Sequence, residues 1–233
     1  MKLLIDGDAL LYPILESCRS ELIQQDEIVW AHVDLGEVLC EVSKSIDRYL
    51  EKVPGEVLIA FSCPSSECFR RDYSETYKAN RKGIKPLGFS KAIARISEDY
   101  ETVTWPRLEA DDILGILQTR PNEETVIVGV DKDFATVPGS VMHPSTLEIE
   151  TYTERQADQN HLIQTLTGDS TDGYPGARGF GPKKVEALGE LTWEKVVECF
   201  GNEYDALTQA RLARILRWED WDPKEKQVRH WCP

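Results

Sequence analysis

The chain has 233 residues, 41% hydrophobic and 29% charged, which is enough apolar material for one medium domain with a buried core. No apolar run approaches the roughly 20 residues of a membrane helix, so a membrane partner is excluded; a carboxylate already at Asp6 argues against a signal peptide, and six cysteines without a CxxC pair suit reduced thiols in the cytoplasm. A net charge of −14 excludes a uniformly basic polyanion binder and leaves only one with its cations gathered locally.

In chain order, Lys2–Asp6 reads as a short buried strand, followed by helical periodicity over Leu35–Leu50. Glu56–Phe61 is a second strand. From about Arg70 to Phe89 the chain is polar and broken by Gly83, Pro86 and Gly88, which predicts a loop or partly helical excursion leading into a helix over Ser90–Asp99. Strands follow at Glu101–Trp105 and Thr125–Val130, with a helix at Ala110–Leu117 between them. After Gly173 the pattern is helical at Pro182–Leu188, Thr192–Phe200 and Tyr204–Trp218. Strands alternating with helices predict an α/β fold with a mainly parallel sheet. A boundary near 160 is expected between a sheet-bearing core (1–160) and a helical C-terminal part (161–233) packed on it.

Four compact acidic groups punctuate this frame: Asp6-Gly7-Asp8, Glu109-Ala110-Asp111-Asp112, Asp131-Lys132-Asp133 and Asp169-x-x-Asp172. Any one of them could cap a helix or occupy a turn. Three stand at expected strand ends or helix starts, where ligands collect in such sheets. Converging carboxylates repel unless cations neutralise them, and oxygen donors without His or Cys select Mg²⁺ or Mn²⁺. Two such ions can activate water and stabilise the leaving oxygen of a phosphodiester.

The opposite charge is concentrated between Arg70 and Arg95, where eight basic residues (Arg70, Arg71, Lys78, Arg81, Lys82, Lys85, Lys91, Arg95) face only Asp72 and Glu75. Lys78 and Arg81 lie one helical turn apart and could grip a scissile phosphate, while Tyr77 and Phe69 offer stacking surfaces. The plain alternative is a solvated basic loop. Further on, Gly176-Ala177-Arg178-Gly179-Phe180-Gly181-Pro182-Lys183-Lys184 places glycine turns before a Pro-initiated helix, a pattern suited to backbone phosphates, or else a simple turn.

Taken together, Ile5-Asp6-Gly7, Tyr77-Lys78-x-Asn80-Arg81, Glu109-Ala110-Asp111-Asp112, Asp131-Lys132-Asp133-Phe134, Gly168-Asp169-x-x-Asp172-Gly173-x-x-Gly176 and Gly179-x-Gly181-Pro182-Lys183 resemble the flap endonuclease/5′→3′ exonuclease superfamily over residues 1–200. The C-terminal stretch is similar to the stand-alone exonucleases of short-tailed phages. The resemblance implies a PIN-like core with a short arch or clamp at about 70–100 and a helix-hairpin-helix at about 176–190. It implies a first metal group of Asp6, Glu109, Asp111 and Asp112, a second of Asp131, Asp133, Asp169 and Asp172, and K⁺ at the hairpin. Tyr77, Lys78, Arg81 and Asp111 take the catalytic roles; Arg70, Arg71, Lys82, Lys85, Arg178, Gly179, Gly181, Lys183 and Lys184 meet DNA.

The implied activity is metal-dependent 5′→3′ hydrolysis of double-stranded DNA at 5′ ends, nicks or flaps, and of RNA–DNA hybrid in primer removal, in the host cytoplasm if phage-encoded. The alternatives are a catalytically silent DNA-structure-binding protein and a PIN-type ribonuclease. The pattern is broken at one place. Relatives carry another aspartate just after the second strand, where this chain has Ser62-Cys63. Glu67, Asp72 and Asp8 are the acids that could reach in instead. Only 32 positions separate Tyr77 from Glu109, which predicts a short arch.

Overall fold

A computed structural model describes residues 1–24, 27–80 and 84–233. The strand patterns generate a six-stranded sheet. β1 (Lys2–Asp6) lies at its centre, flanked in parallel by β4 (Glu56–Ala60) and β6 (Thr125–Val128). β5 (Glu101–Val103) extends the sheet beyond β4, β7 (Gly139–Met142) beyond β6, and β8 (Ile149–Tyr152) closes that edge antiparallel. The chain therefore builds outward from β1 on one side, then returns to build on the other. The switch point falls between β1 and β6, the place where open α/β sheets bind ligands.

Side chains alternate faces along the central strands. Leu3, Ile5, Ile59, Val126 and Val128 point toward α1 (Gly7–Ser17), α2 (Leu35–Lys52) and α3 (Phe89–Asp99). Leu4, Leu58 and Ile127 point to the other face, against α4 (Ala110–Gln118) and the returning segment Leu212–Leu216. At about 25 cal/mol per Å², both faces contribute stability by removing apolar area from water. Gly7 is required by this packing: a Cβ there would lie 2.5 Å from the Phe61 ring and 2.8 Å from the Ala60 carbonyl oxygen.

The C-terminal part adds α5 (Glu154–Thr167), α6 (Pro182–Glu186), α7 (Trp193–Phe200) and α8 (Glu203–Ala213) around a small core of Leu166, Val185, Leu191 and Val196. The boundary expected near 160 falls inside α5, and Leu212–Leu216 with Trp221 rejoins the sheet-face core, so the two parts share packing. Of the stretch expected as an arch, α3 buries Phe89, Ala92 and Ile96 in the sheet-face layer. That leaves the turns of residues 73–80 beside the acids. A two-stranded unit, β2 (Arg19–Gln24) and β3 (Glu27–Val33), arises where no strand pattern was evident. Trp105 stacks on Trp221 and Trp193 meets Trp231 edge-on, so these indoles serve packing.

Candidate active site

Asp6 ends β1 and caps α1 by accepting the Ala9 N–H at 3.0 Å. Across the switch point, Asp131 follows β6 and starts a short 3₁₀ turn, accepting from the Asp133 N–H at 2.9 Å. Glu109, Asp111 and Asp112 occupy the first turn of α4, where a helix N-terminus favours negative charge. Asp169 and Asp172 lie in the turn after α5, held by N–H donation from Thr171 and Asp172 to Asp169. That turn closes on itself through Gly168 and Gly176. Each has positive φ, and a Cβ on either would lie 2.4 Å from the other's backbone segment.

The four groups join into one band. Burial, with the nearby Asp8 and Asp131 charges, pushes the Asp6 carboxyl up to about 6. Burial together with Asp131 does the same to Asp133, which accepts from Gln164 Nε2 at 2.6 Å. Asp111 is also raised, by burial and then by its neighbours Asp112 and Glu109. Carboxylate oxygens of Glu109, Asp111 and Asp112 come within 4.8 Å of one another. Acids whose ionisation is opposed first by burial and then by one another's charge fit a site built for cations.

Glu109 behaves differently because donors surround it. Lys78 Nζ donates to one oxygen at 2.5 Å, and Tyr77 Oη and Arg70 Nη1 donate to the other at 2.7 and 2.9 Å. Despite burial, Lys78 and Arg70 hold its carboxyl down to about 2. Lys78 also reaches Asp172 at 3.5 Å, and its backbone N–H donates to the Asp172 carbonyl at 2.8 Å. Lys78 sits at φ 51°, so the turn that carries it is bent to deliver the ammonium between the first and second acid groups.

Arg70 requires a correction. Expected at the DNA surface, it is 2% exposed and pairs with the fully buried Asp112 in a two-pronged contact, Nη1 to Oδ2 at 2.6 Å and Nη2 to Oδ1 at 2.7 Å. Its remaining donors go to Glu109 and to the Leu212 and Arg214 carbonyls. With every donor used internally, it cannot serve a phosphate. Asp112 also accepts the Leu216 and Glu109 N–H groups, so its oxygens hold Arg70, the C-terminal segment and the start of α4 together.

Arg71 is half-buried and donates to the Ser65 carbonyl. Lys85 is exposed over the Phe89 ring, and Arg178, Gly179, Gly181, Lys183 and Lys184 are exposed along the hairpin. The helix there runs only Pro182–Glu186, two residues shorter than the sequence pattern predicts. Arg81 and Lys82 lie outside the described residues.

The roles of three participants escaped sequence reasoning. Gln164 bridges Asp133 and the Tyr174 hydroxyl, and Asn80 ties its loop to the Ser170 carbonyl. Ser62 accepts the Ala110 N–H at 2.9 Å, capping the helix that carries the first acid group. Cys63 beside it is no substitute ligand, since burial and the neighbouring carboxylates push its thiol up to about 12. Asn80 lies in a quoted motif and Ser62 at the position of the expected acid, but no sequence signal gives their contacts or singles out Gln164; amides and hydroxyls are common in any turn.

An α/β sheet whose switch point gathers carboxylates beside buried cations suits metal-assisted hydrolysis of a phosphodiester. Residues 1–165 match the model of the 5′-3′ exonuclease N-terminal, resolvase-like domain, and the chain belongs to that family of enzymes. The exonuclease of Escherichia phage T7 is 27% identical, with 99% of this chain and 93% of that protein covered. The exodeoxyribonuclease of Enterobacteria phage T3 is also 27% identical, over 99% and 92%. DNA polymerase I of Thermus aquaticus is 28% identical over 94% of this chain but only 28% of its own length. A bacteriophage T5 protein crystallised with metal ions shares the fold at TM-score 0.65 and 15% identity, over 92% of this chain and 89% of that one. A T5 flap endonuclease in a complex with DNA and metal ions matches at TM-score 0.62, again at 15% identity.

Proposed function

We propose that the protein hydrolyses duplex DNA from 5′ ends, nicks and flaps, with two Mg²⁺ or Mn²⁺ ions in the acidic band. The observation that carries this reading is the linked series of acids from Asp6 through Asp131, Asp133 and Asp169 to Asp172, which Lys78 joins to the group of Glu109, Asp111 and Asp112. Asp6, Glu109 and Asp111 would hold one ion; Asp131, Asp133, Asp169 and Asp172 the other. Their hard oxygen donors fit these cations, and the raised carboxyls of Asp6, Asp111 and Asp133 are those that a cation would ionise. When bound, such ions supply an activated water and stabilise the departing oxygen.

The chain's own groups do the rest. Lys78 stands between the two acid groups with a protonated ammonium, raised to about 12 by Glu109, Asp111 and Asp172 against burial, and can turn toward a phosphate entering there. Tyr77 Oη, donating to Glu109, fixes that carboxylate's orientation. Arg81 and Lys82 continue the same basic loop by sequence. Asp112, which the resemblance made a ligand of the first ion, has both oxygens engaged by Arg70 and by the Glu109 and Leu216 N–H groups, so it is reassigned as a positioning residue acting through Arg70. Lys183 and Lys184, with Arg178, Gly179 and Gly181, face solvent where duplex phosphates can reach them, and Arg71 and Lys85 add charge nearer the arch. The family resemblance extends the proposal to K⁺ at the hairpin and to RNA–DNA hybrids as substrates.

The test is release of nucleotides from 5′-labelled nicked, flapped, blunt and RNA–DNA hybrid duplexes in Mg²⁺ or Mn²⁺. Cleavage that ceases in EDTA and in Asp111→Ala is expected. Undiminished cleavage in excess EDTA would refute the metal reading, and faster cleavage of single-stranded RNA would refute the DNA one.

A further inference from the structure

At Ser62-Cys63 the chain lacks the carboxylate that the family resemblance leads one to expect after this strand. Glu67, Asp72 and Asp8 are the acids that could replace it, and the structure separates them. Glu67 is exposed. Asp72 is exposed too, and pairs on the surface with Arg107. Asp8 alone is directed to the vacant place: its Oδ2 accepts the Ser62 N–H at 3.0 Å, at the carboxyl end of β4.

Its second oxygen is the anomaly. Asp8 Oδ1 is sealed from solvent and has no hydrogen-bond partner, one of four such side-chain atoms among the described residues. Leaving a carboxylate oxygen buried and unpaired costs several kcal/mol unless something meets it. Its neighbourhood says what that is. Asp6 lies close enough for the Asp8 charge to raise it, and Ser62 Oγ contacts Ala110 between Glu109 and Asp111. The groups identified around Asp8 are the Asp6 carboxyl, itself neighboured by Asp131, and the Ser62 N–H, which is spent on the other oxygen, so a cation is the partner this arrangement favours. Gly7, forced small by Phe61, is what brings residue 8 this close to β4.

We propose that Asp8 is a ligand of the first metal ion, its Oδ1 replacing the carboxylate that Ser62 cannot supply. Serine at 62 then has a separate task, capping α4 while its N–H orients Asp8. The missing acid is relocated from the end of β4 to the first turn of α1, and the first metal site keeps its charge. This rests on the metal-dependent reading above.

Mn²⁺ binding to the metal-free protein, followed by calorimetry or electron paramagnetic resonance, tests it without recourse to activity. Asp8→Asn keeps an acceptor for the Ser62 N–H and removes the anionic oxygen. It should weaken one of two Mn²⁺ ions more than about 100-fold, beyond the roughly 10–100-fold that losing a group behind a ligand costs, while the unfolding temperature in EDTA stays level or rises. Asp8→Asn combined with Ser62→Asp should regain the lost affinity. Wild-type stoichiometry and affinity in Asp8→Asn would overturn the assignment and leave the metal reading standing; no Mn²⁺ bound by the wild type would overturn both. Should Asp8→Asn fail to fold, wild-type crystals soaked in Mn²⁺ decide. An anomalous peak about 2.1 Å from Asp8 Oδ1 supports the role, and a metal peak at Asp111 with none within reach of Asp8 refutes it.

Discussion

Replacing Arg70 by Met distinguishes a buried structural cation from a DNA contact. The guanidinium makes five hydrogen bonds at 2.5–3.1 Å to Glu109, Asp112 and the carbonyls of Leu212 and Arg214, and lies 4.7 Å over the Phe69 ring. Burial works against its charge, but Asp112, Tyr77 and Glu109 more than offset that and hold its pKa above the ordinary value. Methionine fills much of the volume but leaves Asp112 fully buried and without its cation. Breaking one side of a buried pair typically costs about 3–5 kcal/mol. At about 2–4 °C per kcal/mol for a chain of this size, Tm should fall by roughly 6–20 °C. Arg70→Lys should recover only part of this, since a point charge cannot span both Asp112 oxygens. Arg70→Met with Asp112→Asn should destabilise less than the sum of the single changes. Thermal unfolding in EDTA reads stability, and DNA titration in Ca²⁺ at several salt concentrations reads binding. A variant with wild-type Tm but weaker DNA binding, and a salt slope lower by about one, would refute the argument and return Arg70 to the surface.

Metal-free stability should depend on pH with a definite sign. Asp6 and Asp133 sit at about 6 in the fold against 3.8 as ordinary carboxyls, so their contribution is complete below about pH 4 and is lost as pH rises through 6. For Asp6 alone the loss approaches about 3 kcal/mol; Tm in EDTA should therefore drop between about pH 4 and 6 and level off above that, and Mg²⁺ should abolish the drop, whereas a flat profile would contradict the assignment. Lys78→Met should lower the single-turnover cleavage rate about 10²–10³-fold, the scale of losing one preorganised charge-stabilising donor; a rate within a few-fold of wild type would remove Lys78 from the chemistry. Lys183→Ala with Lys184→Ala should leave Tm unchanged, because both are exposed, and lower the salt slope of duplex binding by about two. An unchanged slope would exclude this hairpin from the DNA path.

Where burial and residue type agree, the sequence pattern and the fold coincide: β1, β4, β6, α2 and α4 all carry apolar residues at the proper period. α5 did not stand out because its inward positions are Ala157, His161, Thr165 and Leu166, a helical spacing filled by polar types. His161 is accommodated neutral, burial pushing it down to about 3 with Nε2 at the Ala210 carbonyl. Conversely, Tyr204–Trp218 reads as one helix, but it ends at Ala213 because Arg214 and Arg217 turn inward. Arg214 reaches Asp220, and Arg217 reaches the Thr136 carbonyl and Asp158. No helix breaker announces that end; partners distant in sequence create it. The acid groups were legible because they are repeated and compact. Arg70 was misplaced because a run of basic residues looks the same whether its partners are phosphates or carboxylates 39 and 42 positions downstream.

The basic stripe therefore divides by function. Arg70 and Lys78 turn inward and neutralise Glu109, Asp112 and Asp172, while Lys85 faces solvent. Two internal cations leave the first acid group only partly compensated, as the raised carboxyls of Asp6 and Asp111 record. Full internal neutralisation would quench the field that attracts metal; none would make the metal-free fold too costly. The division of labour between Glu109 and Asp111 meets both needs. Glu109, clasped by three donors, stays ionised and anchors the loop that carries Lys78. Asp111, with a single N–H from Asp112 to one oxygen, retains the acceptor capacity that a cation needs. Burying the arginine is thus part of how an acidic protein can assemble a metal site before the metal arrives.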